Sequence, residues 1–290
     1  MTTARPRVVL ILGMHRSGTS LLARMLAAQG LPLGRHLLTD PMPDNPHGYW
    51  EQAEIVAIQE GLLRHFKRDW WGARGLEPLP EGWRAAPATR RAQGLLSRIL
   101  AREMAAAGPL WGFKDPRTLS FLPLWDDILA EQDLEPVPVL ALRAPAAVAA
   151  SLALRNRLPR ARADALWAFN TIEALNGAAG RLAAVVDYDA WFTRPEETAH
   201  RLQALLGLPG PPDAACHLID PALRHGPRGE PPAPSAFDAL HRALIARAPL
   251  APDPARPILA LPEAQSALAA LQQPLRGLHG LFRDLIGMRS

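Results

Sequence analysis

The segment Gly13-Met14-His15-Arg16-Ser17-Gly18-Thr19-Ser20 gathers residue types that bind anions. Glycines let the backbone turn and bring its N–H groups toward a phosphate. Thr19 and Ser20 add hydroxyl donors, and the Arg16 guanidinium can grip two anionic oxygens in a fork. A nucleotide triphosphatase loop reads G-x-x-x-x-G-K-[ST]. Gly13 and Gly18 keep that separation, but Thr19 stands at the lysine position. That argues against ATP or GTP hydrolysis. The plainer reading is a strand-to-helix turn whose glycines serve tight packing.

The elements that would position this loop are legible on both sides of it. Val8 to Leu12 is a continuous apolar, β-branched run and predicts a strand buried on both faces, as in a parallel sheet. Leu21, Leu22, Met25 and Leu26 recur at helical spacing, and Gly30 ends the pattern. A helix start beneath the loop would add partial positive charge to the anion site. Residues 38–49, rich in Pro, Asp, Asn and Gly, predict a loop. From Glu51 to about Phe66 the pattern is helical again. A second irregular stretch covers 74–87, and a helix is expected over 88–106. Further strands are expected at 110–113, 137–142 and 183–186, with Pro145 in the first turn of the helix after the second of these. Residues 195–206 read as an amphipathic helix stopped by Gly207 and Pro209. Strands alternating with helices predict an α/β fold: a parallel sheet of the phosphate-loop (P-loop) type flanked by helices. The stretch 210–257 is proline-rich, and 262–287 reads as one or two terminal helices. The simplest organisation is one α/β domain over residues 1–210, with a proline-rich and helical C-terminal extension, 211–290, packed on it.

The segment G-M-H-R-S-G-T-S-L-L resembles the 5′-phosphosulfate loop of sulfotransferases that use 3′-phosphoadenosine-5′-phosphosulfate (PAPS). The resemblance implies that His15, Arg16, Ser17, Gly18, Thr19 and Ser20 hold the phosphosulfate, with Arg16 near its bridging region. A second family element is an arginine after a strand with a serine eight residues on, which together bind the 3′-phosphate. Arg143, after Leu140-Ala141-Leu142, and Ser151 have that spacing. An arginine at a strand end and a helix serine could converge on one phosphate. A third patch, Val186-Asp187-Tyr188-Asp189 followed by Leu205-Leu206-Gly207-Leu208, resembles the family's Y-E-D-L…FLGL stretch, with Asp189 in place of the usual glutamate. It implies that Tyr188 lies near the adenine. The R-K-G of cytosolic aryl sulfotransferases has no counterpart beyond Gly226-Pro227-Arg228-Gly229, which puts any nucleotide role for Arg224 or Arg228 in doubt. Gly48-Tyr49-Trp50-Glu51 resembles the site in tyrosyl-protein and glycan sulfotransferases where a glutamate acts as base, and His47 is the second candidate. Phe113-Lys114-Asp115-Pro116-Arg117 resembles their K-D-P segment, whose lysine assists sulfuryl transfer. The catalytic candidates are therefore Glu51, Lys114 and Arg16, in a chain similar to bacterial members of the family. PAPS would be the cosubstrate and 3′-phosphoadenosine-5′-phosphate (PAP) the product. The competing readings are a P-loop kinase or nucleotide hydrolase and a non-catalytic PAP- or PAPS-binding protein.

The rest of the 290-residue chain bounds these readings. It is 48% apolar and carries a formal charge of +4, enough for an ordinary globular core and a mild attraction to anions. Lys67 and Lys114 are its only lysines; every other basic residue is arginine. No dense basic run interleaved with aromatics suggests nucleic acid. The single cysteine, Cys216, excludes an intrachain disulfide and a multi-thiolate metal site, and no His/Cys/carboxylate spacing suggests a metal. No stretch reaches the length of an apolar membrane span, so a soluble cytoplasmic protein without an integral membrane segment is expected. Trp70 and Trp71 read first as packing residues, with the lining of an acceptor pocket as the alternative. The acceptor is open among a glycan, a lipid-linked sugar and a small hydroxylated metabolite.

Overall fold

The computed structural model describes residues 5–71, 74–220, 235–246 and 261–272. Its centre is a four-stranded parallel sheet made of β1 (Arg7–Leu12), β2 (Leu110–Lys114), β3 (Glu135–Leu142) and β4 (Ala184–Asp187), in the order β2-β1-β3-β4. β1 lies between β2 and β3, with Val9 opposite both Gly112 and Val137. The chain therefore leaves β1 in opposite directions to reach its two neighbours. In open α/β sheets such a reversal leaves a crevice at the carboxyl ends of the strands.

Alternation along the strands divides the core into two layers. Val8, Leu10 and Leu12 of β1 join Trp111 and Phe113 of β2 and Leu140 and Leu142 of β3 in one apolar cluster. Val9 and Ile11 join Val137, Val139 and Ala141 of β3 and Val186 of β4 in the other. Successive side chains point to opposite faces of a strand, so a run apolar at every position must be covered on both sides. α1 (Thr19–Ala28), α8 (Pro195–Leu206) and α9 (Asp213–Cys216) cover the second face. The first is covered by α2 (Ala53–His65), α3 (Pro87–Ala107), α4 (Leu122–Glu131), α5 (Pro145–Asn156) and α6 (Arg160–Gly177). α7 (Ala190–Thr193) is a single turn after β4. α3, α5 and α8 each begin at a proline, whose fixed φ and missing N–H suit a first helical position.

The expected parallel α/β fold is the fold observed. The helix predicted from Glu51 begins at Ala53 with Gln52 as its N-cap, so Glu51 stands before the helix and outside its first turn. Two long helices and the single turn α7 had no prediction. α6 buries Ala163, Ala165 to Phe169, Thr171, Ile172, Ala174 and Leu175, which lie around most of its circumference, so no amphipathic period marks it. α4 carries a helical period, with Leu122, Leu124, Trp125, Ile128 and Leu129 buried on one face, so its sequence did offer a signal. In the C-terminal part, α10 (Ala236–Ile245) packs on α5 and β4, and α11 (Pro262–Gln272) on α6. Of the predicted extension, residues 221–234, 247–260 and 273–290, with Arg224 and Arg228, lie outside the described residues. Among the described residues no helix is long and apolar enough to cross a membrane.

Candidate active site

The glycine loop turns as its sequence requires. Gly13 has φ +140°, and a Cβ there would lie 2.6 Å from the Ala141 carbonyl oxygen of β3. Gly18 has φ +87°, and its Cβ would lie 2.4 Å from Cδ2 of Tyr188. Both positions demand glycine, for conformation and for space. Arg16 also has positive φ, at 71°. Gly18 is the N-cap of α1 and has no side chain to occupy the first-turn N–H groups. The loop and the start of α1 therefore offer backbone donors and a positive helix end to one cavity.

That cavity has a volume of about 400 Å³ and lies at the carboxyl ends of β1, β2 and β3. Two basic clusters line it. The first is centred on Arg16. Its Nε donates to Ser151 Oγ at 2.8 Å, and its Nη1 and Nη2 reach Asp44 Oδ2 and the Asp44 carbonyl at 3.2 and 2.9 Å. Arg155, one helical turn after Ser151, pairs with the same Asp44 at 2.9 Å. The Tyr49 hydroxyl donates to the other Asp44 oxygen at 2.8 Å. Arg143 donates to the Arg16 carbonyl at 3.2 Å, and its guanidinium carbon lies 4.2 Å from the centre of the Tyr188 ring. Buried Trp167 fixes the backbone beneath it by donating to the Arg143 carbonyl at 2.9 Å. Burial lowers the Arg143 and Arg16 guanidinium pKa values, helped for Arg16 by the neighbouring Arg155 charge and opposed by Asp44.

The second cluster is centred on Lys114, at the end of β2. Its Nζ donates to Glu51 Oε1 at 2.5 Å, to the Tyr49 carbonyl at 3.1 Å and to Ser20 Oγ at 3.3 Å. Glu51 also accepts from Arg117 Nη1 at 3.3 Å. Arg117 is further held by Asp115 and Glu60, each at 2.7 Å. These acids keep the Arg117 guanidinium firmly protonated against its burial. Asp115 is fully enclosed; burial pushes its carboxyl up, and Arg117 pulls against that. Gln59, buried in α2, orders this segment by donating to Asp115 Oδ2 at 2.7 Å and accepting from Trp125 Nε1 at 3.1 Å.

The predicted site residues divide as follows. His15, Arg16, Gly18, Thr19, Ser20, His47, Glu51, Lys114, Arg143 and Tyr188 line the one cavity. Ser17 is buried below the loop, and Ser151 meets the site through its bond to Arg16. Trp70 stacks on His15 with ring centroids 3.7 Å apart, whereas Trp71 is exposed. Burial, followed by the charges of Arg117, Lys114, Arg155 and Arg16, holds the His15 pKa well below its ordinary value. Asp44, Tyr49, Arg155 and Gln59 were not anticipated. Only Arg155 had a usable signal, four residues after Ser151 and so on the same helix face. Three buried nitrogens at the site, His15 Nε2, His47 Nε2 and Arg117 Nε, have no hydrogen-bond partner among the described residues. A buried polar atom without a partner is costly, so these three are candidates for contact with a ligand. Among the described residues, no group of three or more His, Cys, Asp or Glu is placed to hold a metal ion.

The chain is similar in fold to solved sulfotransferases. The sulfotransferase domain from the curacin biosynthetic pathway is 17% identical, with a TM-score of 0.45 over 94% of this chain and 99% of that one. The sulfotransferase domain of the Synechococcus PCC 7002 olefin synthase is 20% identical, with a TM-score of 0.45 over 95% and 97%. Sulfotransferase STF1 from Mycobacterium tuberculosis H37Rv is 16% identical, with a TM-score of 0.42 over 74% and 72%. No family model and no curated protein matches the sequence.

Proposed function

We propose that this protein transfers the sulfuryl group of PAPS to a hydroxyl or an amine of an acceptor and releases PAP. One observation carries the reading: a single cavity of about 400 Å³ holds two separate basic clusters beside a glycine loop that has no lysine of its own. PAPS is an anion at two separate places, its 3′-phosphate and its 5′-phosphosulfate. Arg143, with Ser151, suits the first, and Arg16, expected at the bridging region of the phosphosulfate, is assigned here to the 3′-phosphate instead because it bonds Ser151. The loop, Ser20 and Lys114 suit the second. Tyr188, packed under Arg143 and over Gly18, would flank the nucleoside between them.

The same residues supply the chemistry. The acceptor oxygen or nitrogen attacks sulfur in line, and the bond from sulfur to the 5′-phosphate oxygen breaks with its electron pair leaving on PAP. Glu51 takes the acceptor proton. Lys114, a compact ammonium, stabilises the charge that develops on the bridging oxygen, and the loop N–H groups stabilise the transferring oxygens. Arg117 and the Asp115–Gln59 bond hold Glu51 and Lys114 in register. The test is calorimetric titration with PAP, followed by turnover of labelled PAPS over an acceptor panel. PAP binding well above that of 5′-AMP supports the reading. Failure to bind PAP, or Mg²⁺-dependent ATP turnover indifferent to a 3′-phosphate, would overturn it in favour of a kinase or hydrolase.

A further inference from the structure

A second cavity, of about 340 Å³, lies against the first. His15, Trp70, Pro116 and Arg117 line both, so the stacked His15–Trp70 pair belongs to the wall between them. The two cavities differ in charge. The first is lined by six cations, Arg16, Arg24, Lys114, Arg117, Arg143 and Arg155, against four carboxyls, Asp44, Glu51, Glu60 and Asp220. In the second, Arg68 is already engaged by Glu77 at 3.2 Å and by the Pro78 carbonyl at 2.8 Å, and Arg117 by its three acids. The remaining charged groups on its wall are the carboxyls of Asp69 and Glu173.

Glu173 is the unexplained member. It sits on α6 with Asn170 one turn before it, and both line the cavity. Glu173 has no hydrogen-bond or ion-pair partner among the described residues. Its residue surface keeps some exposure, and burial alone pushes its carboxyl up to about 7. Neither Asp69, Arg68, Glu77, Arg117 nor His15 is a cause of that shift. A carboxyl desolvated without compensation is costly to the fold. At the wall of a ligand-sized cavity it is a receptor for a donor. Asn170 uses its amide N–H on the Leu166 carbonyl at 2.8 Å, which leaves its oxygen as a further acceptor. Trp70 and Trp83 add aromatic faces, which attract cations and cover C–H surfaces. On this side of the cavity, two acceptors beside indole rings suit a ligand with a positively charged donor.

We infer that the second cavity is the acceptor site and takes a small hydroxylated amine, whose ammonium pairs with Glu173 while Trp70 and Trp83 cover its carbon skeleton. The assignment as acceptor site rests on the sulfuryl-transfer reading. A hydroxyl of such a ligand at the His15–Arg117 wall borders the cavity that holds Glu51, which Arg117 touches.

The experiment titrates the full chain with 1-amino-1-deoxysorbitol and with sorbitol at pH 8, in the presence and absence of PAP. The two probes differ only in carrying an ammonium or a hydroxyl at one carbon. The amine is expected to bind about tenfold or more tightly than sorbitol, the scale of a charged hydrogen bond in a partly buried site. Glu173→Gln is expected to abolish that preference and leave PAP affinity unchanged. At pH 7 amine binding should release protons from Glu173, so the measured enthalpy should vary with the ionisation enthalpy of the buffer in the wild type and not in Glu173→Gln. Equal affinity of the wild type for the two polyols, or an unchanged preference in Glu173→Gln, would overturn the inference. Amine binding without PAP binding would keep the cation site and overturn its role as an acceptor site. PAP binding without amine preference would overturn the cation site and leave sulfuryl transfer standing.

Discussion

The pairing of Lys114 with Glu51 makes a quantitative prediction. The ammonium and carboxylate are 2.5 Å apart, with side chains 3% and 6% exposed. Removing one partner of a buried ion pair costs about 3–5 kcal/mol, because the other charge is left desolvated. Each partner has some remaining support here. Without Lys114, Glu51 keeps Arg117 at 3.3 Å; without Glu51, Lys114 keeps the Tyr49 carbonyl and Ser20. Each single change, Lys114→Met or Glu51→Gln, should therefore cost about 3 kcal/mol, the low end of that range. The double variant removes both charges and leaves Arg117 with Asp115 and Glu60. It should cost about as much as either single change, a coupling of about 2–3 kcal/mol. Urea unfolding of the four proteins at pH 7, followed by circular dichroism, measures it. Additive losses would refute the argument, for they would mean that neither charge depends on the other. The same proteins test the chemistry. Glu51→Gln should keep PAP affinity and lower turnover by about 100-fold or more, as for loss of a general base. Unchanged turnover would remove Glu51 as the base.

Three further outcomes are expected. Arg143→Ala should weaken PAP binding by about 10- to 100-fold and adenosine 5′-phosphosulfate binding far less, because a charged hydrogen bond is worth about 1.5–3 kcal/mol; equal losses would show that Arg143 does not read the 3′-phosphate. Gly18→Ala forces a Cβ to within 2.4 Å of the Tyr188 ring at φ +87° and should abolish measurable PAP binding, whereas near wild-type affinity would mean that the loop is not the anion site. Glu173 titrates at about 7 in the fold and near the ordinary glutamate value when unfolded, so its raised pKa favours the folded state while it is protonated. That contribution is complete below about pH 4 and is lost as pH rises through 7. Glu173→Gln should therefore gain stability over the wild type between pH 5 and 8, by up to about 3 kcal/mol, and match it near pH 4; parallel stability curves would refute the desolvated carboxyl.

The sheet was legible because each strand carries its own evidence. Val8 to Leu12 is apolar at every position, and both faces of β1 are buried. The glycine loop was legible because Gly13 and Gly18 answer a local demand of the backbone. α6 was not, since burial around most of its circumference erases the period that betrays a helix. Glu51 and Lys114 were found through short motifs, and the structure brings them within hydrogen-bond reach although 63 positions separate them. Asp44 had no signal. Its importance comes from receiving Arg16, Arg155 and Tyr49 from three different elements, a convergence that no single segment encodes. The cavity beside Glu173 was hidden for the same reason: its wall is assembled from α6, His15 of the glycine loop, residues 68–70 and 75–83, and the segment after β2 from Pro116 to Pro123.

The bracing of the glycine loop also bears on how the chain acquires its site during synthesis. Residues 13–18 leave the ribosome early, but the atoms that confine them belong to Ala141, Ser151 and Tyr188. Contacts so distant in sequence form only after the intervening chain has been closed into place. A nascent chain that ends before β4 would hold a complete glycine loop with no Tyr188 against Gly18. If the loop holds a nucleotide as proposed, its capture would report the docking of β4 and make the ligand a late stabiliser of the folded chain.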